Sequence, residues 1–174
     1  LSLLLLMSCA IAVPASAQMK LSGKEACPKP DVQQSVDVTD MPGHALMIQK
    51  GNCTWPTPFE LAGLKPVSSV DVNSDEAWGG KVTEHGYDVG TMDNGDTYTA
   101  KYSGTITMAQ DGTSTFHGSW TFVGGTGKLK GLSGGGTYGG TGSADGSVVS
   151  DVKGTYSVSK APMKPMAPAM KPAS

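Results

Sequence analysis

The sulfur-containing side chains of this sequence suggest two kinds of chemistry. Cys27 and Cys53 form an even pair in a chain that begins like an exported protein, and such a pair is typical of a disulfide. A two-cysteine metal site is the alternative, although neither residue belongs to a C-x-x-C pair. We therefore predict a disulfide between them.

Three methionines near the end of the chain, Met163, Met166 and Met170, follow the spacing M-x-x-M-x-x-x-M. Thioether sulfurs at this spacing could bind the soft ion Cu(I), which would indicate periplasmic copper handling. The simpler interpretation is a solvated spacer of Pro, Ala and Lys in which methionine is only part of the composition.

Histidine is the third residue type that could carry chemistry. His44, His85 and His117 fall on different predicted strands. The strand register described below turns His85 inward, beside Tyr87 and Tyr102, where it could act as an acid, a base or a polar ligand-binding group. A buried, hydrogen-bonded histidine that fills a narrow barrel is the simpler interpretation. No Ser-His-Asp set can be assembled from sequence order, and we assign no catalytic residue.

The start of the chain is typical of a secretion signal. Leu1 to Ala12 is almost wholly apolar, and the small residues that follow end in an A-x-A cleavage site at Ala17. Pro14 interrupts the apolar run too early for a permanent membrane-spanning helix. As an alternative, the residues up to Cys9 resemble a lipoprotein box, which would make Cys9 a lipidated N-terminus. We expect a secreted or periplasmic protein.

Composition then limits the organisation and the partners. A net charge of -2, from 13 basic and 15 acidic residues, offers no basic surface for nucleic acid, and no motif calls for a cofactor. We expect a signal segment at 1–17, an N-terminal arm at 18–40, one barrel domain at 41–159 and a disordered Pro/Ala/Lys/Met-rich tail at 160–174. The oligomeric state stays open.

The chain is predicted to be all-β, because its 24 glycines recur at turn-like spacings and no segment of the barrel domain has a helical period. Strands are predicted near 44–50, 59–63, 67–73, 82–92, 97–109, 113–123, 134–143 and 147–158. They predict a single antiparallel up-and-down barrel of about eight strands.

Three turns fix the expected register of these strands. Asn94-Gly95 suits a two-residue type I′ loop, whereas Gln110 to Gly112 and Ala144 to Gly146 suit three-residue loops with a bulge. These loop lengths oppose Tyr87 to Tyr102 in the first hairpin. Alternation along the strands then predicts one inward-facing set: Tyr87, Tyr98, Tyr102, Ile106, Phe116, Trp120, Phe122, Tyr138, Val152 and Tyr156.

The segment FVGGTGKLKGLSGGGTYGG, at 122–140, resembles a GGTGxF/LxG stretch of the allene oxide cyclase and dirigent barrel-like superfamily, which includes secreted bacterial proteins of unknown function. The matching positions are Gly124, Gly125, Thr126, Gly127, Leu129 and Gly131. The resemblance covers best the C-terminal half, from about Gly86 to Tyr156, and implies an eight-stranded antiparallel barrel. None of the cyclases' functional positions is matched.

The functional expectation is a non-catalytic exported barrel that binds a small apolar molecule in its lumen. The lumen candidates are His85, Tyr87, Tyr98, Tyr102, Phe116, Trp120 and Phe122. A cyclase-like isomerase and copper binding by the methionine tail are the alternatives. A barrel of eight strands either fills with side chains or encloses one small ligand, and the sequence leaves both outcomes open.

Overall fold

The computed structural model describes residues 18–159. The predicted signal segment, Cys9, the predicted tail and its three methionines lie outside the described residues. Within them the chain forms nine strands and one short 3-10 helix at Gly127–Leu129. The strands are β1 (Met19–Cys27), β2 (Val32–Asp37), β3 (Ala45–Thr57), β4 (Pro66–Trp78), β5 (Lys81–Met92), β6 (Thr97–Met108), β7 (Ser114–Gly125), β8 (Leu132–Gly142) and β9 (Val148–Val158).

Eight of the strands close into an antiparallel barrel, which confirms the predicted fold class. From β3 to β9 each strand pairs with the next one along the chain, and β1 closes the ring by pairing with both β9 and β3. Closure removes the free sheet edges that an open sheet of this size would expose. The described residues contain no helix long and apolar enough to cross a membrane.

The N-terminal segment corrects the expected arm at 18–40 and the domain boundary at 41. β1 pairs with β9 over its whole length, and β2 extends the ladder along β3 as a ninth strand. Pro28 and Pro30, which lack an N–H, lie between β1 and β2, where the chain leaves β9. The polar composition of this segment had suggested an arm, but a strand needs only alternate apolar positions, which here include Leu21.

The predicted disulfide is confirmed. Cys27 ends β1, and it is bonded to Cys53 of β3 at the seam where the barrel closes. Closing a loop of this length restricts the unfolded chain and contributes about 3 to 4 kcal/mol to stability. The bond therefore supports the pairing between β1 and β3, which spans only two residue pairs.

All three predicted hairpin turns have the same three-residue geometry. The glycines Gly95, Gly112 and Gly146 have φ near +85°, at 87°, 83° and 89°. In each turn the preceding Asn or Asp side chain accepts a hydrogen bond from a backbone N–H two residues on. These geometries confirm the expected register at the second and third turns.

The expected two-residue loop at Asn94-Gly95 is wrong. A type I′ turn requires positive φ at both central residues, and Asn94 does not have it. Met92 instead pairs with Asp96 across a three-residue loop, so Tyr102 lies opposite Gly86 and not opposite Tyr87. This shift of one residue reverses which side chains of β5 face inward.

One end of the barrel is filled by apolar side chains, which we call the apolar plug and which include Phe59, Leu61, Met92 and Leu129. The predicted strand at 59–63 is instead part of the connection between β3 and β4, and it places Phe59 and Leu61 in the core. Leu61 and Leu129 have no exposed surface, and Met92 is also buried. Trp120, Phe122 and Tyr98 pack above this plug, with tilted or edge-to-face contacts between neighbouring rings.

Trp120 provides a test of the inward face. Its indole is buried, its Nε1–H donates to the carbonyl of Thr137 at 3.2 Å, and its neighbour Thr121 is exposed. Trp120→Ala should therefore lower the free energy of unfolding by about 3 to 5 kcal/mol, and Thr121→Ala by less than about 1 kcal/mol. Urea unfolding of both variants measures the difference. Equal losses would contradict the inward assignment of Trp120.

Candidate ligand-binding lumen

The barrel encloses a cavity of about 360 Å³ that extends from the apolar plug to the opposite end. Near that end the wall includes Pro28 and Pro30 beside β1, and Ala144 and Gly146 of the β8–β9 turn. Its volume lies in the range of small-molecule sites in proteins. The lumen is thus partly open rather than filled by side chains.

Five of the seven predicted lumen residues line this cavity: Tyr98, Tyr102, Phe116, Trp120 and Phe122. Tyr98, Trp120 and Phe122 are buried at its inner end, whereas Tyr102 and Phe116 are half-buried along its wall. Cys27 and Cys53, which form the disulfide, also line this cavity.

The other two, His85 and Tyr87, are on the outside of the barrel, which corrects their assignment. Tyr87 is 53% exposed, and both residues flank a shallow outer groove beside Ile48 and Val72. The one-residue shift at the Asn94-Gly95 turn is the cause. The segment misled the sequence analysis because Tyr87 and Val89, which looked like core residues, lie on the outer face of β5.

The remaining histidines also lie away from the lumen. His117 is exposed on β7. His44 is buried just before β3, where its ring nitrogens contact Asp40 at 2.6 Å and Glu76 at 3.0 Å. The three histidines therefore do not form a common site.

Several inward-facing positions of the barrel carry carboxyl groups, which the sequence analysis had not placed in the lumen. Five of them line the cavity, and we call this set the acidic layer: Glu25 of β1, Asp71 and Asp75 of β4, and Glu84 and Asp88 of β5. All 13 basic residues of the chain are lysines, and none of those within residues 18–159 lines the cavity. Among the residues of the cavity wall, the acidic layer has no cationic partner.

Tyrosine hydroxyls partly satisfy these carboxyl groups. Tyr98 donates to Asp88 at 2.6 Å, and Tyr102 donates to Asp71 at 2.9 Å. From the far side of the barrel, Tyr138 donates to Glu84 at 2.6 Å.

The two acids without a tyrosine use other donors. The Ser69 hydroxyl donates to Glu25 at 2.7 Å, and the Gln49 amide donates to Asp75 at 3.1 Å. Short hydrogen bonds to carboxylates are among the stronger ones, so these five donors fix the acids in place.

Glycines give the tyrosines room to reach across the sheet. Tyr102 lies over Gly86 on its way from β6 to Asp71 of β4, and a methyl group at Gly86 would collide with the phenol ring. Gly104 likewise lies beneath the Tyr138 hydroxyl. The glycines of these strands therefore serve the polar contacts as well as the curvature of the barrel.

Burial keeps the proton on these carboxyl groups to higher pH than usual. Burial raises the pKa of Asp71 and of Asp75 to about 7, with the neighbouring negative charge of Glu84 adding to both shifts. Burial also raises the pKa of Asp88 to about 6, opposed by the hydrogen bond from Tyr98.

The other two acids shift in the same direction. Burial and the negative charge of Asp88 raise the pKa of Glu25 well above its ordinary value. Burial raises the pKa of Glu84, opposed by the hydrogen bond from Tyr138. Carboxyl groups that change protonation near neutral pH can bind a charged group or transfer a proton.

The acidic layer was missed by the sequence analysis, although the chain carries a signal for it. Asp71, Asn73 and Asp75 alternate along β4, and Glu84, Gly86 and Asp88 alternate along β5. Period-two spacing of acids marks one face of a strand, but it does not say which face. Had all three turns been given the same loop length, both acids of β5 would have been placed inside.

Metal coordination is not preformed by the acidic layer. Among residues 18–159, the only close group of three or more His, Cys, Asp or Glu ligands is Glu25, Cys27 and Cys53. Its two sulfurs are already bonded to each other. The disulfide therefore takes the place of the two-cysteine metal site considered as an alternative.

The described chain is thus an eight-stranded antiparallel barrel with one plugged end and an acidic, tyrosine-lined lumen. No protein-family model matches the sequence, and no curated protein matches it.

We predict that this protein is more stable at pH 5 than at pH 8. Below about pH 4 the acids of the layer are protonated in both the folded and the unfolded chain. As the pH rises, the acids ionise first in the unfolded chain. Folding must then either take up protons or bury charged carboxylates, and both lower the free energy of unfolding. The free energy of unfolding should fall by about 2 kcal/mol or more between pH 5 and pH 7 and level off above the raised pKa values of the folded protein.

Urea unfolding at pH 5, 6, 7 and 8 measures this slope. Asp75→Asn should reduce it, whereas Asp93→Asn, at an exposed turn position, should leave it unchanged. The turn carboxyls Asp111 and Asp145 have a pKa lowered by hydrogen bonds from Thr113 and Ser147, so their contribution is lost only at more acidic pH. A wild-type stability that rises from pH 5 to pH 8 would contradict the prediction.

Proposed function

We propose that this protein is an exported, non-catalytic barrel that binds a small, largely apolar molecule in its lumen. The observation that carries the proposal is the cavity of about 360 Å³, closed by an apolar plug at one end and walled by inward aromatic rings. A binding site of this kind needs apolar surface with a few fixed polar groups, and the hydrogen-bonded acids and tyrosines are such groups.

Export and family membership belong to the same proposal. The signal-like segment at 1–17 supports export, and the disulfide is compatible with a non-cytoplasmic protein. The GGTGKLKG segment and the eight-stranded antiparallel barrel support membership of the allene oxide cyclase and dirigent barrel-like superfamily.

A neutral fluorescent probe tests lumen binding. We expect N-phenyl-1-naphthylamine to gain fluorescence on binding the wild-type protein, because the apolar cavity excludes water. Ile106→Trp fills the cavity wall and should weaken binding at least tenfold, whereas Thr107→Trp places the same ring on the exposed face and should have no effect. Melting curves of both variants verify that they fold.

Two results would count against lumen binding. One is the absence of a fluorescence gain with the wild-type protein. The other is an equal affinity of both tryptophan variants for the probe, which would place the binding on the outer surface.

A cyclase-like isomerase is the second candidate function, and the pair of Tyr102 and Asp71 favours it. The pKa of Asp71 at about 7 suits a group that gives and takes a proton at neutral pH. If the protein is such an enzyme, it should turn an unsaturated epoxide into an excess of one product enantiomer. Asp71→Asn should then abolish that excess, while Asp37→Asn on exposed β2 should retain it. Chiral chromatography measures the outcome, and a racemic product with the wild-type protein would exclude this activity for the epoxide tested.

A further inference from the structure

Two acids of the lumen each keep one buried oxygen without a hydrogen-bond partner. Asp75 is only 3% exposed; its Oδ2 accepts from Gln49, and its Oδ1 has no partner. The Oδ1 of Asp88 is also unpartnered, although its Oδ2 accepts from Tyr98. The amide oxygen of Asn73, on the same wall, is a third free acceptor. Unsatisfied buried acceptors are costly, so these three oxygens call for a donor.

The charge of the lumen points to what that donor must be. Every titratable side chain that lines the cavity and is free to ionise is a carboxyl or a phenol: Glu25, Asp71, Asp75, Glu84, Asp88, Tyr98, Tyr102 and Tyr138. On the outer face of β5, His85 lowers the pKa of Glu84 only as a minor effect. A cation that enters the lumen therefore meets acceptors and negative charge but no competing cation from the wall.

The spacing of the acids favours an organic cation over a metal ion. A hard metal ion needs several oxygens converging on one point, and within the described part of the chain no three carboxylates lie so close together. An ammonium group can instead bind a single carboxylate oxygen, and it can also lie against aromatic rings such as that of Tyr102.

The cavity wall near Asp75 includes apolar side chains as well as polar ones. Val82, Ile106, Phe116 and Val152 line it. This surface suits a hydrophobic body attached to the cation.

We propose that the ligand of the lumen is an amphiphilic organic amine, whose protonated nitrogen donates a hydrogen bond to the free oxygen of Asp75 and whose apolar body packs on Val82, Ile106 and Phe116. The inference rests on lumen binding as proposed above, and it specifies the chemical class of the ligand.

A matched pair of probes separates the amine from its neutral counterpart. 2-Naphthylmethylamine is charged at pH 7.5, and 2-naphthylmethanol has the same ring with a hydroxyl group. In isothermal titration calorimetry of the wild-type protein, we expect the amine to bind at least tenfold more tightly than the alcohol. Asp75→Asn keeps the shape of the side chain and should weaken amine binding at least tenfold, while alcohol binding changes less than twofold. Asp37→Asn on exposed β2 is the control and should change neither.

The outcomes distinguish this inference from the proposed function. If the alcohol binds as tightly as the amine and Ile106→Trp blocks both, the lumen binds ligands but the cationic class is wrong. The class is also wrong if Asp75→Asn leaves amine affinity unchanged. Failure of both probes, together with failure of N-phenyl-1-naphthylamine, would overturn lumen binding itself.

Discussion

A carboxyl group that is removed from water without a cationic partner must either hold its proton or find hydrogen-bond donors, and this barrel places five such groups in its lumen. Several other features of the structure follow from that constraint. The donors are mostly tyrosines on β6 and β8, which must extend across the sheet to reach acids on β4 and β5. Their rings need space at the strands they cross, and Gly86 and Gly104 provide it. The abundance of glycine in this sequence is therefore connected with the polar lumen as well as with turns.

Closure of the barrel also shapes the site. β1 brings Glu25 into the lumen and Cys27 to the seam, so one strand supplies both a member of the acidic layer and half of the disulfide. Cys53 and Trp55 alternate inward along the facing part of β3. The covalent bond thus lies next to the acids whose burial works against folding, and it offsets part of that cost.

The second and third hairpins were predictable from the sequence because their turn chemistry and their apolar faces agree. Pairs such as Tyr102 with Trp120 and Tyr138 with Val152 follow from the loop lengths alone. β5 was not predictable in the same way, because it carries apolar residues on both faces, with Tyr87 and Val89 outward and Val82 and Met92 inward, and its acids also face inward. The usual rule that apolar residues point inward therefore selected the wrong register at a turn whose sequence allowed two. β1 was missed for a related reason, since Glu25 and its polar neighbours hide an inward face behind a hydrophilic composition.

The apolar plug has a consequence for the order of events at the lumen. Because Leu61, Leu129 and Met92 close one end, a molecule that reaches the acids must arrive and depart by the same opening. Under the proposed function, an elongated ligand would therefore keep one orientation from entry to exit, with its charged group toward the acidic layer and its apolar body nearer the opening.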